Sequence, residues 1–424
     1  MAEHVDIAIV GAGAAGLMAA ISAGRTARRR GVELKIVALD GASRLGAKIL
    51  VAGGGRCNVT HFEVKETDYA VGPGSTHNAV RNVLRAFPVS RTVEFFRELG
   101  VELKREDTGK LFPTTDDAHT VLDALLAAVK QAGVEIRNPW RVENIARVED
   151  GFRIIGSAGE LLARRVIMAT GGKSLPKTGS DGLGFELVKS FGHTVTRTFP
   201  ALVPLTVDKE RTFLTGLSGI ARRAEVIVSS STGKKLAAFT DSLLCTHFGL
   251  SGPAALNISR FLSATRHEDR GATLIINWLP GQTFEGVDQA LANAPGGRSV
   301  LRILTESPAF SPAMPERLAR ALIESCGVQP GSPANMLRRE QRRALVAALT
   351  ALPAAVSGDR GYLFAEVTAG GVPLKEVKLD SMESRITQGL FLCGEVLDVD
   401  GRIGGFNFQW AWATGFLAGS AAAV

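Results

Sequence analysis

Val5-Asp6-Ile7-Ala8-Ile9-Val10-Gly11-Ala12-Gly13-Ala14-Ala15-Gly16 is the stretch on which the reading of this chain turns. An apolar run suited to a strand breaks at glycines spaced G-x-G-x-x-G, and Leu17-Met18-Ala19-Ala20-Ile21 then favours helix. Strand, tight turn and helix start in that order are the context that a dinucleotide-binding turn requires. Gly11 makes the turn, Gly13 lets backbone approach a pyrophosphate, and Gly16 lets the helix lie against its strand. Ala14 and Ala15 complete the helix start, whose unpaired N–H groups and partial positive charge suit a phosphate. The competing reading is a glycine-rich turn with no ligand. A second strand, Leu34 to Leu39, follows and argues against it.

Outward from that turn, the spacing predicts a first helix over Ala14 to Arg30 with Gly31 as its stop. Asp40 stands just past the second strand, where a carboxylate accepts hydrogen bonds from an adenosine ribose and repels a 2′-phosphate. That favours FAD or NAD over NADP. The next loop contains Lys48 and ends Gly53-Gly54-Gly55-Arg56-Cys57-Asn58. Successive glycines followed by Arg and Asn fit a loop running beside a ligand, with backbone close and side-chain donors at its end. Lys48, Gly54, Gly55, Arg56, Cys57 and Asn58 are therefore cofactor-binding candidates, although a lone cysteine is more often a small buried hydrophobe.

Helical periodicity covers Ala79 to Gly100 and Asp117 to Gly133, and Lys110-Leu111-Phe112-Pro113 between them reads as a turn. Short β runs then crowd together at Val134 to Arg137, Arg141 to Ala146, Phe152 to Ile155 and Leu161 to Ile167. The last enters Ala169-Thr170-Gly171-Gly172. An antiparallel meander returning to a parallel strand with a glycine-rich end is the habit of flavoproteins of the two-dinucleotide-binding type. Val142, Ala169, Thr170, Gly171 and Gly172 join the cofactor candidates. No second G-x-G-x-x-G follows a strand, so a stable nicotinamide site is not expected.

From about Pro200 to Ile276 the chain reads as strands and hairpins, and after Pro295-Gly296-Gly297 helical signals run to Leu352. Leu363 to Thr368 reads as a strand, as does Leu390 to Cys393, which ends in Gly394-Glu395. Asp398, Asp400 and Gly401 read as a turn, and Gly404-Gly405-Phe406-Asn407 opens a last apolar helix. Its N-terminus, set beside a flavin, would stabilise negative charge on the reduced ring. Gly404, Gly405, Phe406 and Asn407 are candidates on that ground, with Gly394, Glu395 and Asp398 for ribityl or ribose hydroxyls.

The expected fold class is α/β: a Rossmann-like FAD-binding domain interrupted by an inserted β-rich domain that carries a helical subdomain. The expected segments are 1–198 and 369–424 for the FAD-binding domain, 199–280 and 356–368 for the β-rich insert, and 281–355 for the helical part. A chain of 424 residues exceeds one typical core, which agrees with that division. The four cysteines are widely separated, so neither a zinc site nor a disulfide framework is expected, and a reducing cytoplasm is the expected location. Met1-Ala2-Glu3-His4 lacks a basic leader, so no secretory signal is expected. Phe406 to Val424 is uncharged and apolar, and a buried core helix suits it better than a bilayer span. The net charge of +7 is scattered, and its densest cluster, Arg28-Arg29-Arg30, complements a helix C-terminus, so charge gives no reason to expect nucleic acid or membrane as partner.

The chain resembles the bacterial flavoproteins of the BaiN/YhiN, or aminoacetone-oxidase-like, type, within the wider glutathione-reductase and fumarate-reductase superfamily. The resemblance covers almost the whole length. It rests on GAGAAG (Gly11 to Gly16), GGGRCN (Gly53 to Asn58), ATGG (Ala169 to Gly172), THFGLSGP (Thr246 to Pro253), VTAGGV (Val367 to Val372), GEVLDVDG (Gly394 to Gly401) and GGFNFQWAWATG (Gly404 to Gly415). It implies bound FAD, a split Rossmann-like domain and oxidoreductase activity; separately, no metal-ligand cluster stands out in the sequence. The expected reaction moves a hydride between flavin N5 and a small organic substrate of the enone or amine class, with NAD(P)H as a transient donor. His247 is a candidate acid or base, since histidine as a residue type can donate or take a proton, and Arg56 a candidate for steadying an anionic substrate. Two rivals remain open: an RNA-modifying flavoprotein, which predicts a basic, aromatic-lined face on the insert, and a non-catalytic flavin-binding redox sensor. Sequence leaves the oligomeric state open.

Overall fold

The computed structural model describes residues 3–424. Two compact units emerge: one holds the chain up to Phe199 together with Glu366–Val424, the other is Pro200–Ala365. Residues 366–368, assigned above to the insert's return strand, thus fall in the first unit.

The fold is α/β. In the first unit Glu3–Val10 lies at the centre of a parallel sheet, between Ile36–Leu39 and Gly159–Met168, with Ile9 opposite Ala38 and Ile167. Glu135–Arg137 extends one side, and Leu390–Leu392 pairs in parallel with the C-terminal part of Gly159–Met168. Strands covered on both faces must be apolar throughout, and Ile7, Ala8 and Ile9 are fully buried. Val142–Val148, Gly151–Gly156 and Gly159–Met168 form the expected antiparallel meander.

The first helix, Ala14–Arg29, stops at Gly31, whose φ of 66° is the left-handed value glycine adopts without strain. It packs on the last helix, Phe406–Ala422, at backbone distance. A Cβ on Gly415 would stand 2.5 Å from the Ala15 carbonyl oxygen, and one on Gly419 2.1 Å from that of Ala19. The last helix is apolar all round because it is buried all round, with Trp410, Trp412, Ala413 and Ala418 inside the core. Among the described residues no helix is long and apolar enough to cross a membrane.

Three local readings are corrected. The helical stretch at 79–100 is two helices, His77–Ala86 and Val89–Glu98, parted at Pro88, which has no N–H to continue the ladder. Lys110–Pro113 is a strand rather than a turn, paired with Leu103–Arg105 and Thr60–His61, and it buries Leu111 and Phe112. Val399–Gly401 likewise pairs with Tyr69–Val71.

The second unit is built on an antiparallel seven-stranded sheet in the order Leu352–Ala354, Thr273–Asn277, Ala221–Ser229, Lys235–Thr246, Gly249–Ser251, Leu205–Val207, Val356–Asp359. The helices Phe284–Ala292, Val300–Glu306, Glu316–Ser325 and Arg339–Thr350 contribute to the same apolar core as that sheet. Gly252–Glu268, expected as strand and hairpin, is a 17-residue helix with proline in its first turn, where a missing N–H is harmless. Leu363 and Phe364, expected in a strand, lie in an exposed turn after Val356–Asp359.

Candidate functional site

The opening turn is fixed from both sides. A Cβ on Gly11 would meet the Ala169 carbonyl oxygen at 2.5 Å, and one on Gly16 the Gly11 carbonyl oxygen at 1.9 Å, so strand, turn and helix touch through bare backbone. Gly13 differs: nothing lies within 4 Å of its Cβ position, which leaves that flank open to a ligand. Asp40 is part of the same construction. Its Oδ2 accepts the Ala12 N–H at 2.7 Å and its Oδ1 the Ala42 N–H at 2.8 Å. A ribose hydroxyl there would use the remaining lone pairs of an already anchored carboxylate.

Around Ala169-Thr170-Gly171-Gly172 a second set of groups converges. A Cβ on Gly172 would overlap Thr368 Oγ1 at 2.4 Å and Glu395 Oε1 at 2.7 Å. Glu395 is tied from three directions: Lys48 Nζ donates to Oε2 at 2.8 Å, while Ser174 Oγ and the Thr368 N–H donate to Oε1 at 2.8 and 2.9 Å. Lys48 Nζ also donates to Ser174 Oγ at 2.9 Å. The pair is mostly shielded, with side chains 25% and 17% exposed, so it is worth more than an open surface bridge. Lys48 and Glu395 are thereby brought together, as the sequence left unsaid. Ser174 and Thr368, which complete the knot, were missed. Both flank quoted glycine motifs, and a hydroxyl beside each was the available signal.

The Gly53-Gly54-Gly55 run is left-handed throughout, with φ of 58°, 71° and 88°. A Cβ on Gly53 would strike the Phe112 ring at 2.7 Å, whereas Gly54 faces open space. Cys57 is fully buried, and burial pushes its thiol up to about 12, which keeps it protonated and unreactive. Arg56 lies 4.1 Å over the Phe112 ring, and its Nη1 donates to Glu106 Oε1 at 2.6 Å. An anionic substrate would have to compete with that carboxylate. Asn58 is buried, and its Oδ1 has no hydrogen-bond partner; Thr170 Oγ1 is in the same condition. Buried polar atoms are nearly always satisfied, which singles these two out, and Thr170 Oγ1 faces Gly184, whose Cβ position is 1.9 Å from it.

The last helix is pinned to these loops from within. The Gly394 N–H donates to Thr414 Oγ1 at 2.9 Å, and Trp410 Nε1 donates to the Gly394 carbonyl at 3.2 Å. Buried Gln409 accepts the hydroxyls of Thr60 and Thr92 and donates to the Phe87 carbonyl. Gly405 caps the helix with φ 93°, its Cβ position 2.6 Å from the Thr60 backbone, and the Phe406 ring stacks on His61 at 4.9 Å. Gly404, φ 124°, has only side-chain carbons of Phe406 and Lys110 near its Cβ position. Asn407 was expected to face the flavin. Its Oδ1 accepts the Gly401 N–H and its Nδ2 donates to the Gly401 carbonyl, so the side chain clamps the preceding turn. Asp398 is buried and accepts the Thr196 hydroxyl at 2.7 Å, again a structural tie. Val142 is buried at the start of the meander, opposite Gly156. His247 belongs to the second unit, exposed in the hairpin turn that Thr246 Oγ1 closes onto Gly249.

The sequence is 35% identical over 418 residues to a 3-dehydro-bile acid delta(4,6)-reductase of Clostridium scindens, covering 98% of each chain. It is 32% identical over 413 residues to a ribosomal RNA dihydrouridine synthase of Escherichia coli, covering 97% of this chain and 96% of the relative. Among solved structures, the 3-ketosteroid-delta4-(5alpha)-dehydrogenase of Rhodococcus jostii superposes with a TM-score of 0.52 at 17% identity, over 100% of this chain and 97% of that one, a likeness of fold. The family described as the HI0933-like protein Rossmann domain matches residues 5–421, and the chain belongs to that family.

Proposed function

We propose that this protein binds FAD and reduces a carbon–carbon double bond conjugated to a carbonyl group. The observation that carries the cofactor assignment lies in the first unit. The opening turn and the Ala169–Gly172 strand end meet through bare backbone, Gly394 packs on the Ala15 methyl, and the flank of Gly13 is left open to a ligand. FAD would supply a hydride equivalent from its N5, replenished by NAD(P)H as a transient donor. The chain's own groups do the rest. Gly13 and the first helix's N–H groups receive the pyrophosphate, Asp40 the ribose, and the Lys48–Glu395–Ser174 knot fixes the glycine-rich strand ends. Gly404, with only side-chain carbons near its Cβ position, leaves room for approach to the last helix's start, whereas Gly405 uses its missing Cβ to seat the Thr60 backbone. Addition of hydride to one alkene carbon requires a proton at the other, and His247 is the candidate acid.

The substrate class has chemical support from two relatives with different names. A delta(4,6)-reductase and a dihydrouridine synthase both saturate a carbon–carbon double bond, and in uracil that bond is conjugated to a carbonyl. A small-molecule enone is the first reading, because the more similar relative acts on one; a uracil base in RNA is the second. The test is direct. Purified protein should release FAD on denaturation, and its reduced form, held without oxygen, should be reoxidised by an α,β-unsaturated ketone. Protein that stays colourless after reconstitution would remove the cofactor assignment. Reoxidation by a uridine-containing oligonucleotide alone would select the second reading, and unchanged turnover in His247→Ala would retire His247 as acid.

A further inference from the structure

We propose that the second unit carries a binding site for an apolar molecule bearing an anionic group, formed by Arg360 with Phe248, Phe364 and His247. It deepens the reductase reading and rests on it, since the ligand would be that reaction's substrate. The residues come from two turns: the one inside the Thr246–Pro253 motif, and the one following Val356–Asp359. The sheet brings them together, because Thr206 lies opposite Gly249 on one side and Gly358 on the other.

Arg360 is the centre. Its guanidinium carbon stands 3.4 Å over the Phe364 ring and 4.4 Å from the Phe248 ring, and His247 meets Phe248 edge-on at 5.1 Å. Ring faces orient a guanidinium without neutralising it. The adjacent carboxylate, Asp359, is occupied by the Gly361 N–H at 2.8 Å and the Ser263 hydroxyl at 3.4 Å. Among the described residues no carboxylate or carbonyl accepts a hydrogen bond from the Arg360 guanidinium. A half-buried cation without a counter-charge is an unfinished arrangement, and the planar fork of its N–H donors matches a carboxylate. Beside it, Phe364 is 45% and Leu363 56% exposed, so the charge borders an apolar surface. One oriented cation set among apolar side chains suits a compact amphipathic anion. A nucleic acid draws its affinity from many phosphate contacts instead.

The test is calorimetric titration of the full-length protein with adamantane-1-carboxylate and with its neutral isostere, adamantane-1-carboxamide. The carboxylate is expected to bind about tenfold or more tightly than the amide, as a charge-assisted fork predicts. Arg360→Gln should erase that difference while amide binding stays, Arg360→Lys should keep part of it, and Phe364→Ala should weaken both ligands alike. Equal binding of acid and amide by the unaltered protein, a preference that survives Arg360→Gln, or binding of neither overturns the proposal. So does an oligouridylate that binds through Arg360 where the carboxylate does not. FAD content, measured on the same samples, separates the two readings: loss of flavin sinks the reductase assignment, whereas the acid–amide preference reports on this site alone.

Discussion

Arg56 and Arg360 both lie over phenylalanine rings, at 4.1 Å and 3.4 Å, yet they differ in what else they touch. Arg56 is joined to Glu106, with Asp116 3.6 Å away, so its charge is already answered within the first unit. Arg360 meets two rings and no acid. The same contrast holds more widely. Around the glycine loops, Asp40, Lys48, Glu395, Asn407 and Gln409 all have partners inside the protein. Groups with internal partners set the shape of a site; a charge left over is available for something that arrives.

That contrast is open to attack at several points. The largest effect is expected from Gln409→Leu, which strands the Thr60 and Thr92 hydroxyls and the Phe87 carbonyl. A loss of roughly 2–5 kcal/mol in denaturant unfolding is expected from several buried groups left without partners. A smaller loss, about 1–3 kcal/mol, is expected for Glu395→Ala, because the shielded Lys48 ammonium keeps only Ser174. That variant should also retain less flavin, and Glu395→Gln should recover part of both. Next comes a pH effect at Glu3. The hydrogen bonds from Arg137 and then Lys35 hold its carboxyl down at about 2. Since the folded value is depressed, this contribution is full above the carboxylate's ordinary range and disappears as pH falls toward about 2. Glu3→Gln should therefore lower stability at neutral pH, flatten the acid limb of the stability curve and converge on the unaltered protein near pH 2. Least affected should be Arg56→Met, an exposed pair with a thermal midpoint expected close to that of the unaltered protein. A large drop there would place Arg56 among the structural ties, and a lost substrate affinity without a drop would restore its expected role.

The strand, turn and helix at Val5–Gly16 were legible because each step has a strict local signature: β-branched residues, glycines at fixed spacing, then helix formers. The meander was legible for the same reason. What stayed hidden was long-range. Lys110–Pro113 reads as a turn by its proline, but its partners Leu103–Arg105 and Thr60–His61 make it a strand. Gly252-Pro253 reads as the end of a turn, yet the same pair starts a helix, since proline is tolerated in a first turn. Leu363 and Phe364 are apolar enough for a strand, and only the structure shows them exposed beside Arg360. At the site, glycines announced themselves, whereas the partners of Asn407, Glu395 and Gln409 lie in segments that no spacing rule connects.

The contact between Gly415–Gly419 and Ala15–Ala19 bears on the order in which the molecule is made. A ribosome releases the first helix hundreds of residues before the one that covers it, so the small-residue face stays uncovered through most of synthesis. The dinucleotide turn emerges long before the helix that finishes it.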